Sequence, residues 1–293
     1  MCNFMPELPE VETTVKGLQE KVLQRTFIDV WTDWEKTIKR PKPFALFKEE
    51  LKGKKIIRIW RRAKNVIIDL AGGYSLLIHM KMTGHLMVGK WRLEGKRWKP
   101  LAPGPLDEPT NLFIHVMWML DNGQMMALSD LRKFAKVELW KTDELVKELE
   151  KLGPEPLEKS FTFEKFKERI SRKKGKVKIV IMDPVVLVGV GNIYASEALW
   201  WAKIHPTKDV LKLADSELKK LYEAIKKVLL LGVKLGGESF ADYRKIDGTK
   251  GDFDDERRAY KREKQPCYRC KTPIARLKFG GRSAFYCPSC QKL

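Results

Sequence analysis

Close to the end of the chain stand Cys267-Tyr-Arg-Cys270 and, after sixteen intervening residues, Cys287-Pro-Ser-Cys290. Each pair can clasp one edge of a tetrahedral metal site, with the stretch between them folded as a β-hairpin. Four thiolates leave no coordination position open, so the spacing predicts one structural Zn2+ and not a catalytic one. A redox dithiol is the competing reading; two pairs at ribbon spacing in a basic tail argue against it. Residues 262–293 hold eight basic side chains and a single acidic one. Arg276, Lys278 and Arg282 beside Phe279, Phe285 and Tyr286 suit a hairpin that touches nucleic acid, although Phe285 and Tyr286 suit packing on the metal site equally well. Cys2 lies outside the set.

The charge balance points the same way. Lys and Arg number 58 against 38 Asp and Glu, a net charge of +20. So large an excess repels itself in a compact molecule, and a polyanionic partner is the usual reason to keep it. Nucleic acid fits best, because counterion release rewards basic side chains spread over a surface. At 293 residues with 43% hydrophobic content, the chain can bury one large core or two ordinary ones. No apolar run approaches the roughly twenty residues that span a bilayer, so no membrane partner is expected. The start lacks the layout of a secretory signal, and the cysteines are too few for a secreted scaffold. The expected setting is intracellular and reducing.

A short helix is predicted to open the fold, with Pro9 at its first position and Val11, Val15, Leu18 and Val22 on one face. From Thr26 to Trp140 short β-rich runs follow: Lys55–Trp60, Val66–Leu70, Ser75–His79, Leu112–Leu120, Gln124–Leu128 and Lys136–Trp140. Turn signals such as Asp121-Asn122-Gly123 separate them, the pattern of a sandwich or barrel. Pro100–Pro109 reads as an exposed loop, and Gly153-Pro154-Glu155-Pro156 as an interdomain connection. Helical patterns then cover Thr162–Ser171, Val177–Met182, Ile193–Ala202 and Asp215–Leu231. Gly236–Asp255 is polar and lacks apolar periodicity, which suits a mobile functional loop or a disordered linker.

Val188-Gly189-Val190-Gly191-Asn192-Ile193-Tyr194 superficially suggests a dinucleotide-binding glycine loop. Its sixth position is Tyr194, too bulky for the close helix–strand contact that such a loop needs, and no βαβ unit surrounds it. A turn between two helices fits better, with Asn192 opening the second. There backbone N–H groups and the Asn192 amide suit a DNA phosphate; a plain Asn N-cap would use the same residue.

Met5-Pro6-Glu7-Leu8-Pro9-Glu10-Val11-Glu12-Thr13, taken alone, is a proline-framed helix start with acids favouring the dipole. Together with Arg61-Arg62-Ala63-Lys64, His79–Gly84, Asp130-Leu131-Arg132-Lys133-Phe134, Leu152–Leu157, Gly189–Glu197 and Arg282–Cys287, it resembles the formamidopyrimidine-DNA glycosylase (Fpg/Nei) family. The likeness is collinear over nearly the whole chain. It implies an α+β multidomain fold: a β-sandwich with its opening helix (residues 1–150), a helix–two-turn–helix domain (151–235), a lesion-capping loop and linker (236–261) and a zinc finger (262–293).

It also implies a bifunctional glycosylase and abasic-site lyase that works as a monomer on damaged double-stranded DNA. Pro6 would be the nucleophile, once the residues before it are removed. An α-amino group titrates roughly two units below a lysine, so more of it is free base at neutral pH. Attack on sugar C1′ gives an iminium cation that acidifies the neighbouring carbon and lets the phosphates leave. By the same likeness Glu7 protonates the sugar ring oxygen, Glu10 supports it, and Lys64 contacts phosphate and assists proton transfer. Arg282 would grip the phosphates around the lesion, with Asn192 and Lys173 contacting DNA. Met82, Arg132 and Phe134 resemble the wedge that fills the gap left by an extruded nucleotide; core packing is the other reading of Met82 and Phe134.

The chain departs from the family pattern in three places. Met1-Cys2-Asn3-Phe4 precede the expected start, so Met5 is the predicted initiator or the extension is removed. Phe113 stands where a DNA-contacting histidine is usual, and Lys261 where a glycine is customary. Two alternatives stay open: an endonuclease-VIII-like enzyme for oxidised pyrimidines, and a non-catalytic zinc-ribbon DNA-binding protein. Leu8 and the complete wedge favour the purine-directed branch.

Overall fold

The computed structural model describes residues 5–239 and 242–293. The expectation concerning Met1–Phe4 therefore lies outside the described residues. Helix α1 (Leu8–Val22) opens the fold. Its first turn follows from Pro9, whose missing N–H costs nothing there, and from Glu10, whose carboxylate accepts the Glu7 N–H at 2.7 Å.

The predicted apolar face of α1 is buried, and Leu8, one turn before it, takes a different core. Val11, Val15, Leu18 and Val22 enter the core of the strand region, whereas Leu8 enters the core of the helical region. One helix thus belongs to both halves of the molecule, with the Pro6 end at their junction.

The strands are β1 (Phe27–Thr32), β2 (Ile38–Arg40), β3 (Ile56–Arg62), β4 (Asn65–Leu70), β5 (Tyr74–His79), β6 (Gly84–Gly89), β7 (Trp91–Glu94), β8 (Arg97–Pro100), β9 (Ile114–Leu120), β10 (Met125–Asp130) and β11 (Lys136–Lys141). They form a sheet in the order β1-β9-β10-β6 and a second in the order β2-β11-β5-β4-β3, with β7–β8 a separate hairpin. Both sheets contribute to one core, including Val30, Ile68, Ile78, Leu86, Trp118 and Val137, which makes the unit a sandwich. Helix α2 (Phe44–Leu51) interrupts the strands. It went unread because its eight residues hold too few apolar repeats to separate from strand alternation. The Pro100–Pro109 stretch is exposed for most of its length, and two short 3-10 turns close it.

After α3 (Thr142–Glu150) the chain passes to the helical region: α4 (Phe163–Ser171), α5 (Val177–Val180), α6 (Asn192–Ala202) and α7 (Asp215–Lys234). Glu155 fastens the crossing. Its carboxylate accepts the Ala63 N–H at 2.7 Å and pairs with Arg61 at 2.6 Å and Arg62 at 3.2 Å. Arg62 also donates to the carbonyl of Gly153 at 2.7 Å.

The described residues of the segment after α7 are tied into the fold by hydrogen bonds and packing. Gly237 N–H donates to Gly232 O, Asp252 N–H to Leu235 O and Gly251 N–H to the Ser239 hydroxyl. Ile246 is buried in the sandwich core, and its carbonyl accepts the Val88 N–H at 2.8 Å. The chain ends in the hairpin β12 (Ala275–Phe279) and β13 (Arg282–Tyr286). Phe285, Cys267 and Cys287 join the helical core, and Tyr286 packs edge-on against His205. For Phe285 and Tyr286 packing is therefore what the fold uses.

Candidate active site

A cleft of about 190 Å³ opens where the sandwich, α6 and the terminal hairpin meet, lined among others by Glu7, Lys64, Met82, Asn192 and Arg282. A smaller recess beside it is walled by Pro6, Glu10, Met82, Glu238, Asp242 and Tyr243. Met5 and Met82 line both. Residues from opposite ends of the chain are thus brought together around Pro6.

Glu7 is the pivot. Its carboxylate accepts the N–H of Gly191 at 2.6 Å, of Ile193 at 2.9 Å and of Tyr194 at 3.3 Å. It therefore caps α6 from another part of the chain, where the helix leaves its first N–H groups free and positive. The cap residue is Gly191, not Asn192, which is already the first helical residue. This corrects the N-cap reading of Asn192; its side-chain oxygen is buried without a hydrogen-bond partner. A Cβ on Gly191 would lie 2.5 Å from the Glu7 carboxyl carbon and 2.7 Å from Lys64 Nζ. Glycine is required there because an acid and a base already fill the space. At Gly189 the reason is both conformation, φ +84°, and a clash with Leu8.

Electrostatics follow from burial. Burial raises the Glu7 carboxyl above its usual range, against the opposing pull of Lys64 and the three N–H groups. Glu10 is pushed up to about 7 by burial and then by Glu7. Its Oε1 accepts the Tyr194 hydroxyl and the Glu238 N–H, each at 2.7 Å. Lys64 is lowered by burial and by Arg282, with Glu7 and Glu10 opposing. The site therefore holds acids that keep protons unusually well and an amine that gives one up unusually easily.

Arg132 and Phe134 lie on the loop after β10. Phe134 is 50% exposed, which removes the core reading, and the Arg132 guanidinium stands 4.7 Å from its ring. Buried Asp130 anchors this loop. It accepts from the Thr83 hydroxyl and from the N–H of Ala135 at 2.7 Å, and Arg132 N–H donates to Thr83 Oγ1 at 3.0 Å. Thr83 follows Met82, so the same anchor ties the loop to the cleft. Met82 is half-buried and belongs to no core cluster. Lys173 stands apart, paired with Asp183 at 2.8 Å in a separate groove beside Arg169 and Arg172.

The Sγ atoms of Cys267, Cys270, Cys287 and Cys290 lie within 4.8 Å of one another. Tetrahedral zinc with Zn–S near 2.3 Å sets sulfurs about 3.8 Å apart, so the four residues fit the ion. Cys2 is outside the described residues.

Some participants had no motif to mark them. Lys178, 1% exposed, donates to Ser196 Oγ at 2.8 Å and to the Ser283 carbonyl at 2.9 Å, joining α5 and α6 to the hairpin that carries Arg282. Burial, then Arg282, pushes its amine down to about 7 against Glu7 and Glu197. The signal was a lone lysine in an apolar helical run. Glu197 accepts the N–H groups of Arg258, Ala259 and Tyr260 at 2.7–2.9 Å and fastens the linker to the finger.

Three family models match the chain in order. The formamidopyrimidine-DNA glycosylase N-terminal domain matches residues 5–137, the formamidopyrimidine-DNA glycosylase H2TH domain 152–244, and the zinc finger found in FPG and IleRS 264–293. The formamidopyrimidine-DNA glycosylase of Herpetosiphon aurantiacus is 38% identical over 288 residues, 98% of this chain and all of the relative. A Lactococcus lactis FPG variant in complex with Fapy-dG-containing DNA superposes with a TM-score of 0.85 at 31% identity, over 98% of this chain and 100% of the other. The Lactococcus lactis Fpg bound to abasic-site DNA gives 0.84 at 30% identity with the same coverage. With three collinear domain matches and relatives alike from end to end, this chain belongs to the formamidopyrimidine-DNA glycosylase family.

Proposed function

We propose that the protein excises oxidised purines from double-stranded DNA and then cuts the strand, with Pro6 as the nucleophile. The observation that carries this reading is the convergence of Glu7, Lys64, Asn192 and Arg282 on a cleft that adjoins Pro6. With Met5 attached, the Pro6 nitrogen is an amide and cannot attack. Met5 lines both cavities, so its removal frees the amine at the border of the two.

In this reading Glu7, whose burial favours the protonated form, gives a proton to the sugar ring oxygen as the Pro6 amine bonds to C1′ and the base departs. The resulting iminium acidifies C2′. Lys64, held toward its neutral form, moves protons during the eliminations, and Glu10 supports Glu7 through its backbone N–H. Arg282 and Asn192 hold the phosphates flanking the lesion, and Lys173 contacts the DNA farther out. Met82, Arg132 and Phe134 fill the emptied stack, with the Arg132 donors offered to the orphaned base. Zinc, when bound by Cys267, Cys270, Cys287 and Cys290, supplies a structural clamp that fixes the hairpin carrying Arg282.

The division into residues 1–150, 151–235, 236–261 and 262–293 goes with this reading, as does action by a monomer on nucleoid DNA in the cytoplasm. No helix among the described residues is long and apolar enough to cross a membrane. Parallel cleavage of duplexes carrying 8-oxoguanine opposite cytosine and thymine glycol opposite adenine tests the substrate class. The purine duplex is expected to be cut at least tenfold faster; the reverse order would move the enzyme to the pyrimidine-directed branch.

A further inference from the structure

All four strands of the sheet β1-β9-β10-β6 deliver side chains to one of its ends. The reaction above employs those beside β10 and β6 and leaves those beside β9 and β1 without a task. Met82 stands two residues before β6, and residues 131–134 follow β10 at the same end, because Asp130 pairs with Gly84. Phe113 immediately precedes β9, whose Ile114 pairs with Ser129 of β10. Its carbonyl accepts the N–H of Asp130 at 2.8 Å, which sets Phe113 against the base of the wedge loop. Beyond β9, Thr32 of β1 pairs with Val116, so Trp34, two residues on, comes level with Ile114. Lys133 reaches over from the wedge loop, its Nζ 4.7 Å from the centre of the Trp34 ring. Neither ring belongs to a core cluster: Trp34 is half-buried, and Phe113 is 39% exposed beside an exposed Leu112.

We propose that Trp34 and Phe113 form a second contact surface for duplex DNA, packing on sugars and bases of the undamaged strand beside the orphaned base. The inference rests on the reading above, which puts the lesion strand in the cleft on the β6 side and Arg132 in the emptied stack. Two steps along the sheet from β6 reach β9 and three reach β1, roughly 10 and 14 Å at about 4.8 Å per strand. That shift exceeds the width of a minor groove, about 6 Å, so the rings lie across the wedge from the cleft and face the other strand. Charge suits the same partner. Lys36, 5.1 Å from the Trp34 ring, joins Lys81, Arg132 and Lys133 at this end, against exposed Glu35 and an Asp33 paired with His115 at 2.8 Å. Rings interleaved with cations take nucleotides by stacking, whatever their sequence.

Fluorescence anisotropy with the full-length processed chain tests this on two probes. One is a duplex carrying a tetrahydrofuran abasic analogue opposite cytosine, which cannot form the imine; the other is the same lesion strand alone. Trp34→Ala and Phe113→Ala should each weaken duplex binding about fivefold or more. Both should bind the single strand within about twofold of the parent, because no complementary strand is there to be held. The salt dependence of duplex affinity should keep its slope in both variants, since no phosphate contact is removed. Trp34→Phe keeps a ring and should recover most of the loss. Unchanged duplex affinity, equal weakening on both probes, a flattened salt slope, or a Phe variant as weak as the Ala variant would each overturn the assignment. A parent enzyme that binds the analogue duplex no tighter than undamaged duplex would instead sink the proposed function, and this surface with it.

Discussion

In the cleft, Glu7, Glu10 and Lys64 are ionisable groups withdrawn from water and held by backbone donors and by one another. On the loop after β10 the arrangement is inverted. Leu131 and Phe134 are apolar side chains left half in water, each 50% exposed, and a single buried carboxylate, Asp130, holds the loop beneath them. Each choice sacrifices stability, since burying charge and exposing apolar surface both work against the folded state. The contrast separates two tasks. Burial strengthens a carboxyl's hold on its proton and weakens an amine's, and on the proposed reading the exposed ring offers surface to a gap in stacked bases.

The largest effect should come from the buried side. Glu7→Gln keeps an oxygen for the α6 N–H groups but has no proton to give, so base release should fall about 10²–10⁴-fold. Rapid-quench assays on the 8-oxoguanine duplex measure it, and a loss below tenfold would remove Glu7 as the acid. Next in size is the metal clamp. Cys287→Ala should lower zinc content in proportion and reduce duplex affinity by at least tenfold through Arg282, while the sandwich keeps its far-ultraviolet signature. Fluorescence anisotropy with metal analysis checks both halves.

Asp130→Ala probes the opposite region. It removes acceptors used by the Thr83 hydroxyl and by the N–H groups of Arg132 and Ala135, a loss of about 1–3 kcal/mol in loop order. Base release from duplex should drop about tenfold, and much less when the lesion faces a gap that needs no wedge. Equal losses on the two substrates would mean that the loop has no part in extrusion. Phe134→Ala should leave thermal stability within about 0.5 kcal/mol, because an exposed ring supports no core. Duplex cleavage should still fall a few-fold.

On catalysis the smallest effect is expected from the pH dependence of stability. Glu10 has a folded value of about 7 against an ordinary 4.5, so the folded chain binds more of its proton between those values. Stability is then full below about 4.5 and is lost as pH rises toward 7, by a few kcal/mol at most. Glu10→Gln should flatten that slope in denaturant titrations, whereas Phe134→Ala should not change it.

Much of this contrast was legible in the chain itself, for local reasons. The cysteine spacing, the α1 face and the Arg132–Phe134 loop each depend on residues close in sequence. The sandwich was legible as a class, although α2, α3 and the strands β1, β2, β6, β7 and β8 were not, since runs of three to nine residues carry little periodic signal. What stayed hidden is the support of the site. Glu7 caps a helix that begins at Asn192, Lys178 reaches Ser283, and Glu155 braces the turn before Lys64. These pairings join residues about ninety to nearly two hundred positions apart, so only the closed fold can reveal them. Asn192 shows the reverse error: a good capping residue at the right place, displaced from the cap because a distant carboxylate already occupied it.

The most direct test of the chemistry is borohydride reduction of the enzyme on 8-oxoguanine duplex, followed by mass mapping of the adducted peptide. The account predicts one covalent adduct on a peptide whose first residue is Pro6, with Met5 absent. An adduct on a lysine, or efficient trapping by a chain that still carries Met5, would contradict it.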